Sequence, residues 1–366
     1  MTLCLRSFVV DLHHHEGTKT QRHKDTKKRL SMKKPVLAIT LGDINGVGPE
    51  ILVKALGRPE VRDACMPVVV GSAAVLEGVR GLAPACPAFT PVGNLEEAAG
   101  ADGIPVIDGG LAVPPYRPGV LDPEAGRCAV EWLKLAIGWA LERRVDGIVT
   151  CPLNKEGIHK AGYRYSGHTE ILAEMTSSPD YRMCLFAGPM RIVHITSHLS
   201  MQEAIRAVKK DRIARSIRIA DQALAQLGLA KRRIAVAGLN PHAGEAGAFG
   251  REEIDEILPA VIECRSEGMD CSGPHPPDSV FRWMREGKFD VVVSMYHDQG
   301  HIPMKLIAMD DGVNVTLGIP IVRTSVDHGT AYDIVGTGVA RENSLCAAIA
   351  LAAQFAASGC GIESRL

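Results

Sequence analysis

The chain has 366 residues, of which 46% are hydrophobic and only 4% aromatic, with a formal net charge of −1. That length sets a prior of roughly two domains, and an aliphatic core of this kind suits helices covering a mostly parallel sheet. The near-zero charge argues against a nucleic-acid partner, and no apolar run is long enough to span a bilayer.

In chain order, the basic stretch from Gly17 to Lys34 has almost nothing to bury and is expected to be disordered, with His13, His14 and His15 in a solvated tail. Met32 is the expected natural start. Leu3 to Val10 contains Arg6 and lacks a small-residue cleavage site, so it does not read as a signal peptide. From residue 35 short β-branched runs alternate with amphipathic stretches, the α/β signature. Strands are expected at Val36–Thr40, Val68–Val70, near Pro105–Asp108, and at Gly147–Thr150, Ile234–Gly238 and Val291–Met295. Met183–Phe186 and Ile192–Thr196, separated by Gly188-Pro189, predict a hairpin. Val313–Val322 reads as one extended segment. Helices are expected at Ala73–Val79, Glu124–Arg144, Ser200–Leu227, Glu252–Arg265 and Ser344–Ala357, with residues 80–122 mostly irregular. Ten cysteines without a C-x-x-C pair suggest reduced thiols in a cytoplasmic protein. Cys151, at a strand end, reads as a packing residue rather than a nucleophile.

Three histidines recur at one kind of position. His198, His242 and His297 each follow a predicted strand, where α/β sheets bind ligands. Three imidazoles with an open position suit a catalytic divalent cation such as zinc. A second cluster, Asn154-Lys155 and Ser166-Gly167-His168-Thr169-Glu170, offers donors to an anionic oxygen or simply starts a helix. Gly42-Asp43-Ile44-Asn45-Gly46-Val47-Gly48-Pro49-Glu50 is a strand–glycine loop–helix turn, but neither a G-x-G-x-x-G nor a Walker loop. Lys305, Asn314 and Arg323 precede Ser325–Ala331, and Lys and Arg at loop ends suit a phosphate or carboxylate.

These segments, with Pro152–Lys155, Asn240–Glu245 and Tyr296–Gly300, resemble the 4-hydroxythreonine-4-phosphate dehydrogenase family of vitamin B6 biosynthesis, from about residue 35 to the end. The resemblance implies metal ligands at His198, His242 and His297, and substrate contacts at His168, Thr169, Lys305, Asn314 and Arg323. It implies an α/β two-domain, three-layer fold similar to the isocitrate and isopropylmalate dehydrogenases. Residues 34–145 with 305–366 would form one domain and 146–304 the metal, substrate and dimerisation domain, with the site in the cleft between them. By that similarity His328, Gly329, Thr330, Ala331 and Asp333 look like the loop that binds NAD or NADP. Family members are homodimers with the site at the subunit interface, so the histidines need not come from one chain.

The implied reaction is metal-assisted, NAD-linked oxidation of 4-hydroxythreonine 4-phosphate followed by decarboxylation to 3-amino-2-oxopropyl phosphate, with zinc, magnesium or cobalt as the ion. Asp298 and Lys305 are the candidate acid–base residues, though Asp298 also suits orienting His297. The first loop has Ile44-Asn45-Gly46-Val47 where many members carry Pro-Ala-Gly-Ile. Tyr163–Ser166 and Asn154 are shared with a sister group that acts on threonate or erythronate 4-phosphate, which is the alternative substrate class. A non-redox metal hydrolase or aldolase, and a non-catalytic sugar-acid binding protein, are further alternatives.

Overall fold

Short runs of Val, Ile and Ala form the strands of this chain, and their β-branched side chains suit a pleated, buried surface. The computed structural model describes residues 34–308 and 310–358, so the expectations about the histidine tail and a start at Met32 fall outside the described residues. Twelve strands join in one sheet. They are β1 (Val36–Thr40), β2 (Met66–Val70), β3 (Phe89–Pro91), β4 (Ile104–Ile107), β5 (Gly147–Thr150), β6 (Arg182–Ala187), β7 (Met190–His194), β8 (Ile234–Ala237), β9 (Cys271–His275), β10 (Val291–Ser294), β11 (Val313–Leu317) and β12 (Arg323–Val326). Their order across the sheet is β3-β4-β2-β1-β5-β12-β11-β6-β7-β10-β8-β9.

Two parallel sets make up the sheet. β1 pairs in parallel with β2 and β5, and β5 with β12. β10 pairs in parallel with β7 and β8. Between the sets, β11 is antiparallel to β12 and to β6, and β6 and β7 form the expected antiparallel hairpin. Along the ladder the second set therefore runs opposite to the first. All four residues of β5, β8 and β10 are buried. Strands buried on both faces need helices on both faces. The Pro123–Leu141 helix packs on β1, β2 and β5, the Asn343–Ala357 helix on β12, β5 and β11, and the Lys210–Gln226 helix on β7, β8 and β10. The α/β class expected from the sequence is the one observed. β5, which the expected boundary at 146 places in the second domain, lies between β1 and β12.

Several expected segments divide. Val313–Val322 holds one strand, β11 (Val313–Leu317), because Gly318-Ile319-Pro320 turns the chain and Pro cannot donate to a ladder; the antiparallel partner β12 begins at Arg323, beyond the expected segment. The long helical region after Ser200 is two helices, Met201–Ala207 and Lys210–Gln226, with Val208 extended between them. Glu253–Ile257 is a π-helical turn leading into the Leu258–Ser266 helix. Among the described residues no helix is long and apolar enough to cross a membrane. Of the eight cysteines among the described residues, all but Cys346 are buried.

One buried carboxylate ties the glycine loop after β1 to the loop before the Asn343–Ala357 helix. Pro49 opens the Gly48–Gly57 helix, and Glu50 in its first turn is 1% exposed. Glu50 accepts hydrogen bonds from Lys54 Nζ at 2.8 Å, Ala340 N at 3.0 Å and Gly336 N at 3.2 Å. Lys54 Nζ also donates to the carbonyls of Gly338 and Ala340. Glu50→Ala leaves two amides without their acceptor and the Lys54 ammonium without its counter-charge. The expected loss is about 3 kcal/mol of stability, read as a lower urea midpoint at unchanged m-value. A change below about 0.5 kcal/mol would remove Glu50 as the clamp.

Candidate active site

The three histidines begin from one edge. β10 lies between β7 and β8 and is parallel to both, so the three strands deliver their carboxyl ends side by side. His297 opens the His297–Ala308 helix just past β10, and its ring lies 5.7 Å from that of His198, centroid to centroid. His297 Nδ1 is 2.6 Å from Asp298 Oδ1. The imidazole beside it holds the Asp298 carboxyl below its ordinary value. Burial, then the charges of His297 and Lys155, push His198 down towards the neutral form that binds metals.

His242 is placed differently. Residues His242 to Ala246 all have positive φ, between 44° and 80°. A left-handed run costs roughly 1–2 kcal/mol per non-glycine residue, so something must hold it. Glu253, 3% exposed, accepts from the backbone N–H groups of Leu239 and Asn240, both at 2.7 Å, and from Asn240 Nδ2 at 2.9 Å. Gly244 lies against that carboxylate; a Cβ there would sit 2.7 Å from Glu253 Oε2. The His242 ring faces Phe249. Gln299 joins the two loops, donating to Gly238 O at 2.7 Å and accepting from Met295 N at 2.7 Å. This explains why Asn-Pro-His-Ala-Gly-Glu and Tyr-His-Asp-Gln-Gly work as units. Among the described residues, however, no group of three or more His, Cys, Asp or Glu is placed to hold one metal ion. Within one chain, His198 and His297 come together and His242 does not join them.

Sequence reasoning missed two residues behind this pair. His301 stacks on His297 with centroids 3.6 Å apart and planes 11° apart, and its Nδ1 lies 3.1 Å from Nε2 of His194. Nδ1 of His194 faces the Met183 carbonyl at 3.2 Å. Burial keeps both neutral, His194 at about 3 and His301 at about 4. The His-x-x-x-His spacing of 297 and 301 on one helix face was the available signal.

Of the substrate candidates, Arg323, Asn314 and His168 lie close together. Arg323 begins β12 and is 3% exposed. Its guanidinium donates to Thr316 Oγ1 at 3.0 Å and Thr150 Oγ1 at 2.8 Å, and no carboxylate pairs with it among the described residues. Burial pushes it down to about 9, so it stays charged at neutral pH. Among the described residues, two buried side-chain polar atoms lack a hydrogen-bond partner: Arg323 Nε and Asn314 Oδ1. They belong to neighbouring strands, since Asn314 pairs with Ser325 across the β11–β12 ladder. His168 opens the His168–Met175 helix and is held well below its ordinary value, first by burial and then by the Arg323 charge. Thr169 follows it in the helix's first turn, with its own backbone N–H pointing out of the helix end.

The 328–333 loop packs on the first glycine loop. Val47 N donates to Thr330 O at 2.9 Å, and a Cβ on Gly46 would meet Thr330 Cβ at 2.9 Å. Tyr332 donates to Asp43, which also accepts from Asn45 N at 2.9 Å. A cavity of about 250 Å³ opens here, lined by His328 and Ala331 together with Lys305, Asp327, Val47 and Ile51. Gly329, Thr330 and Asp333 do not line it. Lys305 is exposed, about two turns along the helix from His297. Cys151 is fully buried, and burial pushes its thiol up to about 12, which fits a packing residue.

Residues 63–352 match the family described as Pyridoxal phosphate biosynthetic protein PdxA. The chain is 45% identical over 329 residues to the D-threonate 4-phosphate dehydrogenase of Salmonella typhimurium (strain LT2), covering 89% of this chain and 100% of that protein. It is 43% identical over 325 residues to the D-threonate 4-phosphate dehydrogenase of Cupriavidus necator, covering 88% and 97%. Among solved structures, the 4-hydroxythreonine-4-phosphate dehydrogenase of Klebsiella pneumoniae is similar with a TM-score of 0.79 and 43% identity, over 88% of this chain and 99% of that one.

Arg323 gives a direct test of this geometry. An uncompensated buried charge costs the free protein stability. Arg323→Met, apolar and of similar length, should stabilise the ligand-free protein by on the order of 2 kcal/mol, seen as a higher Tm. A loss of that size instead would mean that the guanidinium is already compensated in the free chain.

Proposed function

This chain belongs to the PdxA family, and we propose that within it the enzyme oxidises D-threonate 4-phosphate with NAD, assisted by a divalent cation, as a homodimer. It is a dehydrogenase of a phosphorylated hydroxy acid, linked to NAD or NADP. The observation that carries the substrate reading is the orphaned pair. Arg323 Nε is a charged donor with nothing to donate to, and Asn314 Oδ1 an acceptor with nothing to accept. A hydroxy acid phosphate supplies both complements, an oxyanion and a hydroxyl. His168 and Thr169 add donors beside the oxyanion.

The choice among substrates follows the similar proteins. The motifs place hydroxythreonine phosphate first and the acid-sugar phosphates second; the activities named for the two bacterial relatives favour the reverse order. Oxidation of the hydroxyl β to the carboxylate sends a hydride to the coenzyme and a proton to a base. The resulting β-keto acid then loses carbon dioxide and leaves a three-carbon keto-alcohol phosphate. Asp298 is committed to His297 Nδ1, so we assign it the orienting role and leave Lys305 as the residue open to proton transfer.

His198, His242 and His297 are neutral-imidazole donors of the kind that holds zinc, cobalt or a similar ion. Such an ion would polarise the substrate hydroxyl. One chain offers two of the three together, and the reading is that a second copy completes the set. Exposed apolar side chains follow each candidate ligand: Leu199 and Met201 after His198, Phe249 and Ile254 after His242, and Ile302 and Leu306 after His297. Leu306, 82% exposed, is an unusual surface residue unless it is covered. The two parallel sets of strands fit a division into two domains, with the coenzyme loop on the first set and the histidines on the second. The non-redox readings, hydrolase, aldolase or binding protein, give no reason for the 328–333 loop.

Two measurements check these points. With NAD and a divalent cation, kcat/KM for D-threonate 4-phosphate should exceed that for 4-hydroxythreonine 4-phosphate by about tenfold or more, and a chelator should abolish turnover; the opposite preference contradicts the substrate reading. His242→Ala and His297→Ala should each be inactive alone. Mixed and reassembled, they should regain about a quarter of wild-type activity, the share of sites left intact by random pairing. No recovery in proven mixed dimers would place all three ligands in one chain.

A further inference from the structure

The cavity beside His328 and Ala331 has a second feature that the reaction does not use. Its wall includes Ile334 and Ala340, and Asp310 and Arg341 also line it. Arg341 Nη1 lies 2.6 Å from Asp310 Oδ2, and both side chains are more than half exposed. An exposed pair of this kind adds little to stability, so its presence at this cavity calls for another account. The apolar residues Val47, Ile51, Ile334 and Ala340 suit the face of an adenine ring, and the charges suit the ribose beside it.

NAD and NADP differ only at the ribose 2′ position, a hydroxyl in one and a phosphate in the other. A carboxylate accepts hydrogen bonds from a 2′,3′-diol and repels a 2′-phosphate, whereas a free guanidinium binds that phosphate. Here both groups are present and each occupies the other. Resting on the reading of residues 328–333 as the coenzyme loop, we infer that the Asp310–Arg341 pair sets coenzyme choice. Asp310 selects NAD twice over, by accepting from the diol and by engaging the arginine that would otherwise receive a phosphate. Arg341 is then a latent 2′-phosphate site that one substitution releases. The pair is spread over two segments, the turn before β11 and the approach to the Asn343–Ala357 helix, so neither sequence position alone signals it.

The test uses the full-length protein and two readouts. Coenzyme preference is measured as the ratio of kcat/KM for NADP to that for NAD. Binding is measured without catalysis, by calorimetric titration of 5′-AMP and of adenosine 2′,5′-bisphosphate. Wild type should favour NAD and bind 5′-AMP better than the bisphosphate. Asp310→Asn should raise the NADP/NAD ratio by about tenfold or more and tighten the bisphosphate to a similar degree. Adding Arg341→Gln to it should remove the gain. An Asp310→Asn ratio and bisphosphate affinity within about twofold of wild type overturn the inference while leaving the dehydrogenase reading intact. A folded wild-type protein that binds neither nucleotide overturns the placement of the coenzyme at this loop as well.

Discussion

A guanidinium held inside a protein without a carboxylate is costly, because its charge loses water and gains little in exchange. Arg323 is held that way. It has two threonine hydroxyls, a free Nε, and beside it an asparagine carbonyl oxygen with no donor. The rest of the site makes sense around this deficit. β12 is a central strand between β5 and β11, so the arginine is fixed by ladders on both sides. Thr150 at the end of β5 and Thr316 in β11 orient its fork, and the His168–Met175 helix begins close enough for its first histidine to feel the charge. The fold thus stores a charge defect, and the proposed function assigns the substrate's anion to it.

The second organising element is the His297–Ala308 helix. Its first residue pairs with His198, and about two turns later Lys305 reaches the cavity beside His328. Burial raises Asp327 and the nearby charges of Lys305, His328 and His297 oppose it, while burial and then the charges of His297 and Lys155 lower His198. The helix therefore spans between the two strand sets, which run in opposite senses along the ladder. Behind it, the stacked His301 and buried His194 brace the His297 ring. The left-handed turn at His242 is braced separately by Glu253, and Gln299 ties that turn's approach to the His297 loop.

What was legible in the sequence follows the physics of each element. β1 and β5 are short, mostly apolar runs, and both match the expected bounds at both ends. β12 was not foreseen, because Arg-Thr-Ser-Val is not an apolar run, and neither were the two edge strands of the sheet, β3 and β9. Each of these two edges contains a proline, which edge strands tolerate and which hides them from a reading based on β-propensity. The shared edge of three strand ends was inferable from spacing, because β7, β8 and β10 each stop just before a histidine-bearing loop. Whether the three rings meet was not, since that depends on a left-handed turn at His242 that the sequence does not announce. His194 and His301 escaped notice because one lies inside a strand end and the other inside a helix, where histidine has no turn or loop signature. Threonate and hydroxythreonine phosphates share a phosphate and a carboxylate, so residues that suit an anion do not rank one above the other.

Calorimetric titration of D-threonate 4-phosphate into wild-type and Arg323→Met proteins tests the central claim most directly. If the substrate's anion fills the deficit at Arg323, wild type binds it and the variant binds on the order of a hundredfold more weakly, with its fold intact. Equal affinities in the two proteins would contradict the account, because the buried charge would then have no part in holding the substrate.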